Sequence, residues 1–157
     1  MPPDLPSTFS VEAFSAGSFE GKGDTRRLRI DPKEYPAFVV GPWGEKTKLR
    51  VEKQYLILDV IWQPDDKEQQ QRLAIEKLPT VRQSVFLDLT PSGALDMGPY
   101  KNPDLNKLRE VFGLNADGQK WSFADFVGKP ARIKVEQKPN KDNPADPFTN
   151  VTAVVRA

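Results

Sequence analysis

The sequence predicts a mainly β domain, a five-stranded OB-like Greek-key barrel with one helix between strands 3 and 4, preceded by an irregular N-terminal arm. Three observations point there. Apolar and polar residues alternate in short runs along the chain, the signature of half-buried strands. The clearest helical pattern falls after the third run and before the fourth. One run, 47–63, is long and switches its apolar parity midway, as strands that bend around small barrels do.

Residues 1–31 form the arm. They are rich in Pro, Ser and Gly and carry no strand or helix period, so the arm alone buries too little apolar surface to order itself. Phe9, Phe14 and Phe19 recur at a spacing that fits neither period and read as anchors for a partner or for the body. The barrel domain spans 32–157. "KEYPAFVVG" (33–41) is its first strand, and Pro36 predicts that it starts at an edge. "GPWGEK" (41–46) is a turn. "TKLRVEKQYLILDVIWQ" (47–63) is the long second strand. Leu49 and Val51 face in at first. Leu56, Leu58, Val60 and Trp62 then form an apolar face of opposite parity, which predicts a bulge or bend near Lys53–Tyr55.

"QPDDKEQQQ" (63–71) reads as a loop or a frayed helical start. "VRQSVFLDLT" (81–90) is the third strand, with Val85, Leu87 and Leu89 inward and Arg82, Ser84, Phe86 and Asp88 outward. The helix follows. Asn102 caps it, Pro103 takes its first position, Leu105, Leu108 and Phe112 share a face, and Gly113 stops it. "SFADF" (122–126) opens with a capping box and adds one helical turn. Alternation through Ala131, Ile133 and Val135 marks the fourth strand, and Val151, Ala153 and Val155 the fifth. The loop between them, 138–148, is long for a hairpin and rich in proline and charge, so it reads as functional.

Composition narrows the chemistry. The 157 residues carry 23 basic and 22 acidic side chains, so bulk charge names no partner and a nucleic-acid site has to be a local patch. There is no cysteine and no histidine. That excludes disulfides and thiolate metal sites, and it removes the side chain best matched to proton transfer at neutral pH. The expectation is therefore a protein that is not an enzyme, with no catalytic residues, metal or cofactor. No apolar run reaches the ~20 residues of a membrane helix. "MPPDLPSTFS" lacks the pattern of a signal peptide, and the expected location is the cytoplasm. "GPWGEKTK" fails as a phosphate loop because Glu45 follows the second glycine, and the segment after Asp88 lacks the later ligands of a calcium loop.

A constellation remains. In OB-folds ligand lies across strands 2 and 3, flanked by the 1–2 and 4–5 loops. At those places stand Trp43, Lys46, Lys48 and Arg50, then Arg82 and Phe86, then Lys138, Lys141 and Phe148, with Arg132 and Lys134 outward on strand 4. Cations track phosphates, and flat rings stack unpaired bases. Trp62, Tyr55, Trp121, Phe123 and Phe126 read as core. The long loop is expected to close over a single strand lying on the barrel.

The stretch "VFLDLTPSGALDMGPYKNPDLNKLREVFGLNADGQKWSFADFVGKPARIKV", followed by a loop and "FTNVTAVV", resembles small phage single-stranded DNA-binding-type proteins over roughly residues 81–157. In these a short "LREVFG"-like helix precedes a "GKPARIKV"-like strand, a polar loop and a last "NVTAVV"-like strand. The resemblance implies an OB-type fold and a role in DNA replication or recombination. The partner expected on this reading is single-stranded DNA, with a homo-oligomer or other phage proteins engaged through the arm and no membrane. The alternative reading is a virion structural protein, decoration- or connector-like, whose proline-rich arm docks on a neighbouring subunit.

Overall fold

A computed structural model describes residues 10–18, 30–143 and 147–157 of the chain, without the side chains of Ala13 and Phe14. The three phenylalanines proposed as arm anchors thus lie outside the described residues, Phe14 in its side chain. The arm does hold one short helix, α1 (Val11–Ala16), in a stretch without helical periodicity. The Ser10 hydroxyl, just ahead of it, donates to Glu12 at 3.2 Å, a local bond that a periodicity search does not register. Ile30 and Asp31, at the arm's end, pack on the body: Ile30 is buried in the core and the Asp31 amide donates to Gln69 Oε1 at 2.8 Å.

The body is an open, antiparallel six-stranded sheet. Its strands are β1 (Glu34–Val39), β2 (Lys48–Glu52), β3 (Tyr55–Pro64), β4 (Val81–Phe86), β5 (Pro130–Lys138) and β6 (Phe148–Val155). The order is β2-β3-β1-β5-β6, and β4 pairs the other edge of β3. β3 organises the sheet: its first half pairs β2, its last residues pair β1, and its other edge carries β4 along residues 57–62. β4 and β6 approach each other but form no ladder, so the sheet is not closed.

Several expectations change. The long strand is two strands, because Lys53 and Gln54 form a two-residue turn between the paired Glu52 and Tyr55, with Lys53 at φ 56°. A hairpin inverts the parity of the apolar face as a bulge does, so the sequence pattern does not separate them. β2 extends beyond the core, and Leu49 and Val51, read as inward, are 38% and 73% exposed. β1 starts at an edge, as Pro36 predicts, and lies inside the sheet from Ala37 onward. Pro36 is accommodated because the β3 ladder joins only at Ala37; beyond it the Pro36 carbonyl accepts from the Asp65 amide at 3.0 Å, and no ladder N–H is required of Pro36. β4 stops at Phe86; Leu89 leaves the sheet and bridges Leu95. The register of β5 with β6 slips between Lys134 and Val135, opposite Thr152, so Val154 is buried while Val155 is 46% exposed.

Two helices flank the sheet. α2 (Lys67–Leu73) occupies the polar 63–71 segment. Asp66 caps it by accepting from the Gln69 amide at 3.3 Å, and Gln69 donates to the buried Tyr35 hydroxyl at 2.6 Å. α3 (Pro103–Val111) lies where the sequence places it and buries Leu105 and Leu108. Asn102, however, does not cap α3 through its side chain. It accepts from the Asp88 amide at 2.7 Å and donates to the carbonyls of Asp88 and Asp96 at 3.0 and 2.7 Å, pinning the loop after β4. Gly113 follows at φ 72°, in the left-handed region where glycine costs least. A 3₁₀ turn, Phe123–Phe126, begins where Asp125 accepts from the Ser122 amide at 2.8 Å. The core joins the inward side chains of β1, β3 and β5 to Leu105, Leu108, Phe112 and Phe126, with Trp62 fully buried and 5.9 Å from the Phe112 ring.

Candidate nucleic-acid interface

Residues directly opposite in an antiparallel ladder share a face, so the sheet's outer surface follows from its register. Row by row it carries Lys48–Asp59–Ser84 and Arg50–Ile57–Phe86 across β2, β3 and β4, with Ile61 beside Arg82. Tyr55 lies at the hairpin end of the same face. Its ring meets Phe86 edge-on, centroids 5.7 Å apart, and both residues are 58% exposed. Assigning Tyr55 to the core was therefore wrong. It stands an even number of residues from Ile57 and Asp59, which puts all three on one face, opposite Leu56, Leu58 and Val60. That parity was the available signal.

A groove of about 1300 Å³ runs along the open seam between β4 and β6. Arg82 and Phe86 line one wall, Lys138 and Phe148 the other, and Lys107 and Asp104 stand at its α3 end. Its charged lining is thus three cations and one carboxylate. Arg82 and Lys138 are exposed and have no ion-pair partner among the described residues. The open register makes this groove: a closed barrel would have hydrogen-bonded strands there. Four of the sequence-derived candidates therefore converge on one concave surface.

The other seven do not line it. Trp43 is half-buried and stacks on Phe123 at 5.8 Å and 16°, so one face of its indole is already covered. The turn bearing it is fixed from below by Thr47, which is fully buried and donates to the Val40 carbonyl at 2.9 Å. Lys46 and Lys48 are exposed, Lys48 on the same outer face as Phe86. Arg50 is committed within the protein: its Nε donates to Asp59 at 2.7 Å, and Nη1 binds Glu52. These hydrogen bonds hold its guanidinium firmly protonated, its pKa pushed above the usual arginine range. Asp59 needs that partner because it is 3% exposed, with Ser84 Oγ donating to it at 3.2 Å. Arg50 therefore balances a buried carboxylate and is not an open phosphate contact.

Arg132 and Lys134 project from β5 opposite Val155 and Ala153 of the β6 wall, but neither lines the groove itself. Arg132 pairs with Glu34 at 3.1 Å and Lys134 with Glu136 at 3.2 Å. Lys141 is exposed on the long loop, where Asn140 Oδ1 accepts from the amides of Asp142 and Asn143. Pro144, within that loop, lies outside the described residues.

No helix among the described residues is long and apolar enough to cross a membrane. No protein-family model matches the chain, and no curated protein matches it.

Proposed function

We propose that this chain is a non-enzymatic single-stranded DNA-binding protein, of the kind that serves phage replication or recombination, built on an OB-like barrel left open between β4 and β6. The observation that carries the reading is the seam. Exposed cations (Arg82, Lys138) and half-exposed rings (Phe86, Phe148) line one continuous groove. Tyr55 and Lys48 extend that surface along the outer face of β2 and β3. Single strands are bound by this combination: cations follow the phosphates and aromatic faces take the bases, each stacked base contributing about 1–3 kcal/mol whatever its identity. The strand order around β1, with β3 and β5 as its neighbours and α3 between β4 and β5, supports the OB-like reading. The resemblance over residues 81–157 supports the phage role.

A titration of labelled oligothymidylate at two salt concentrations tests the reading. Affinity should fall as salt rises, with a log–log slope of roughly −0.7 for each phosphate contact. A mixed-sequence single strand should bind within a few-fold of it. Absence of binding at low salt would reject the proposal.

A further inference from the structure

β2 ends the sheet, and among the described residues no strand lies beside its outer edge. Which of its backbone groups are free follows from the hairpin. The Leu56 carbonyl accepts from the Leu87 amide at 3.0 Å, on the β4 side of β3. Leu56 therefore turns its polar groups away from β2, and the Val51–Leu56 pair is a non-hydrogen-bonded one. By alternation the same holds for Leu49 opposite Leu58. Leu49 and Val51 thus direct their N–H and C=O groups outward from the free edge.

The side chains are equally unprotected. Leu49 and Val51 occupy the face that would be core elsewhere, yet both are exposed. Natural edges are blunted by short strands, charged side chains, proline, a bulge or an inward charge, and β2 is short and charged on its outer face. On its apolar face, however, Lys48-Leu49-Arg50-Val51-Glu52 has no proline, bulge or inward charge, only Leu49 and Val51.

We propose that β2 is a homodimerisation edge, pairing antiparallel with β2 of a second copy about a two-fold axis through Arg50. Among symmetric registers this one places Leu49 opposite Val51 of the partner copy, so the four outward-facing residues exchange their backbone hydrogen bonds. It also places Lys48 opposite Glu52 of the partner copy, twice, so each cation faces an anion across the seam. The two Arg50 side chains meet at the axis, each already neutralised by Asp59 and Glu52 of its own chain. A five-residue edge forms a small interface, and the dimer is a weak, concentration-dependent one. The paired sheets would join the outer faces bearing Lys48, Tyr55 and Phe86 into one surface. The dimer itself does not rest on DNA binding.

Sedimentation equilibrium of the full chain without DNA tests it. The wild-type mass should rise with concentration from the 17.7 kDa of one chain toward twice that value. Val51→Pro removes an outward N–H that the hairpin does not use, so it should keep the circular dichroism spectrum and stay at one chain. Lys48→Glu sets like charges opposite each other and should weaken association about tenfold. Lys48→Glu with Glu52→Lys should restore it. A wild-type protein that stays monomeric at millimolar concentration would overturn the proposal. So would a double swap no tighter than Lys48→Glu, a comparison that decides the matter even where the proline variant fails to fold.

Discussion

The attachment of α3 to the sheet is tested by comparing Leu105→Ala with Leu108→Ala. Leu105 is fully buried and Leu108 is 1% exposed, so exposure alone predicts equal losses. Their surroundings differ. Leu108 borders the seam groove and Leu105 does not. Each substitution removes three carbons, a transfer loss of about 2 kcal/mol at ~0.8 kcal/mol per buried carbon. A cavity term of ~24 cal/mol per Å³ adds to this only where the void stays empty and closed. At Leu105 the void is enclosed, and the total should reach about 3–5 kcal/mol. At Leu108 the void opens into the solvent-accessible groove, and the loss should stay near about 2–3 kcal/mol. Urea denaturation followed by tryptophan fluorescence gives both values, with Trp62 a buried reporter of the same core. A loss below ~1 kcal/mol for Leu105→Ala would mean that α3 does not pack on the sheet. A larger loss at Leu108 than at Leu105 would refute the role assigned to the groove.

Other tests follow from single residues. Lys33 binds Asp66, and this partner, with the Gln69 amide, lowers the Asp66 carboxyl from 3.8 to about 2. A lowered acid stabilises the fold fully above its unfolded pKa, and that stability is lost as pH falls through the folded value. Asn caps helices as well as Asp, so Asp66→Asn isolates the charge. The urea-midpoint gap between wild type and Asp66→Asn should be constant above pH 4 and should close between pH 3.8 and about 2; a gap unchanged across that window would contradict the pairing. Ala74 ends α2 at φ 56°, a conformation costing an L-residue about 1 kcal/mol, so Ala74→Gly should raise stability by that amount in the same assay, and a loss would contradict the cap geometry. In DNA titrations Phe86→Ala should weaken binding by about 1–3 kcal/mol without changing the salt slope, whereas Lys138→Ala should flatten the slope by roughly 0.7. Trp43→Ala should lower the melting temperature and leave the salt slope unchanged, because its ring packs on Phe123.

Much of this architecture is legible in local sequence. The alternation in β5, the Pro103–Gly113 helix and the 122–126 turn need only neighbours within a few residues, and they stand where the pattern puts them. Features set by distant partners are not legible that way. The Lys53–Gln54 turn lacks the glycine or asparagine that normally marks a hairpin, so its parity switch reads as a bend. The slip at Thr152 depends on pairing with Lys134 and Val135, which no reading of β6 alone discloses. The candidate site divides in the same way. Outward positions on β4 follow from parity, so Arg82 and Phe86 are found. Which cations are already neutralised depends on cross-strand acids: Asp59 withdraws Arg50, and Glu34 withdraws Arg132. The polar α2 segment was ambiguous because its stability comes from Tyr35, Asp31 and Lys33, more than thirty residues earlier.

The proposed function places a single DNA strand along the seam between β4 and β6. Titrating ¹⁵N-labelled protein with short oligothymidylate and following backbone amide shifts tests it most directly. Saturable shifts are expected, concentrated in 82–86 and 148–155, with smaller ones around Tyr55 and Lys48 and across the ladder at Arg132 and Lys134, and little change in α2. Shifts confined to α2 and the β1 end of the sheet, or none at low salt, would refute that placement.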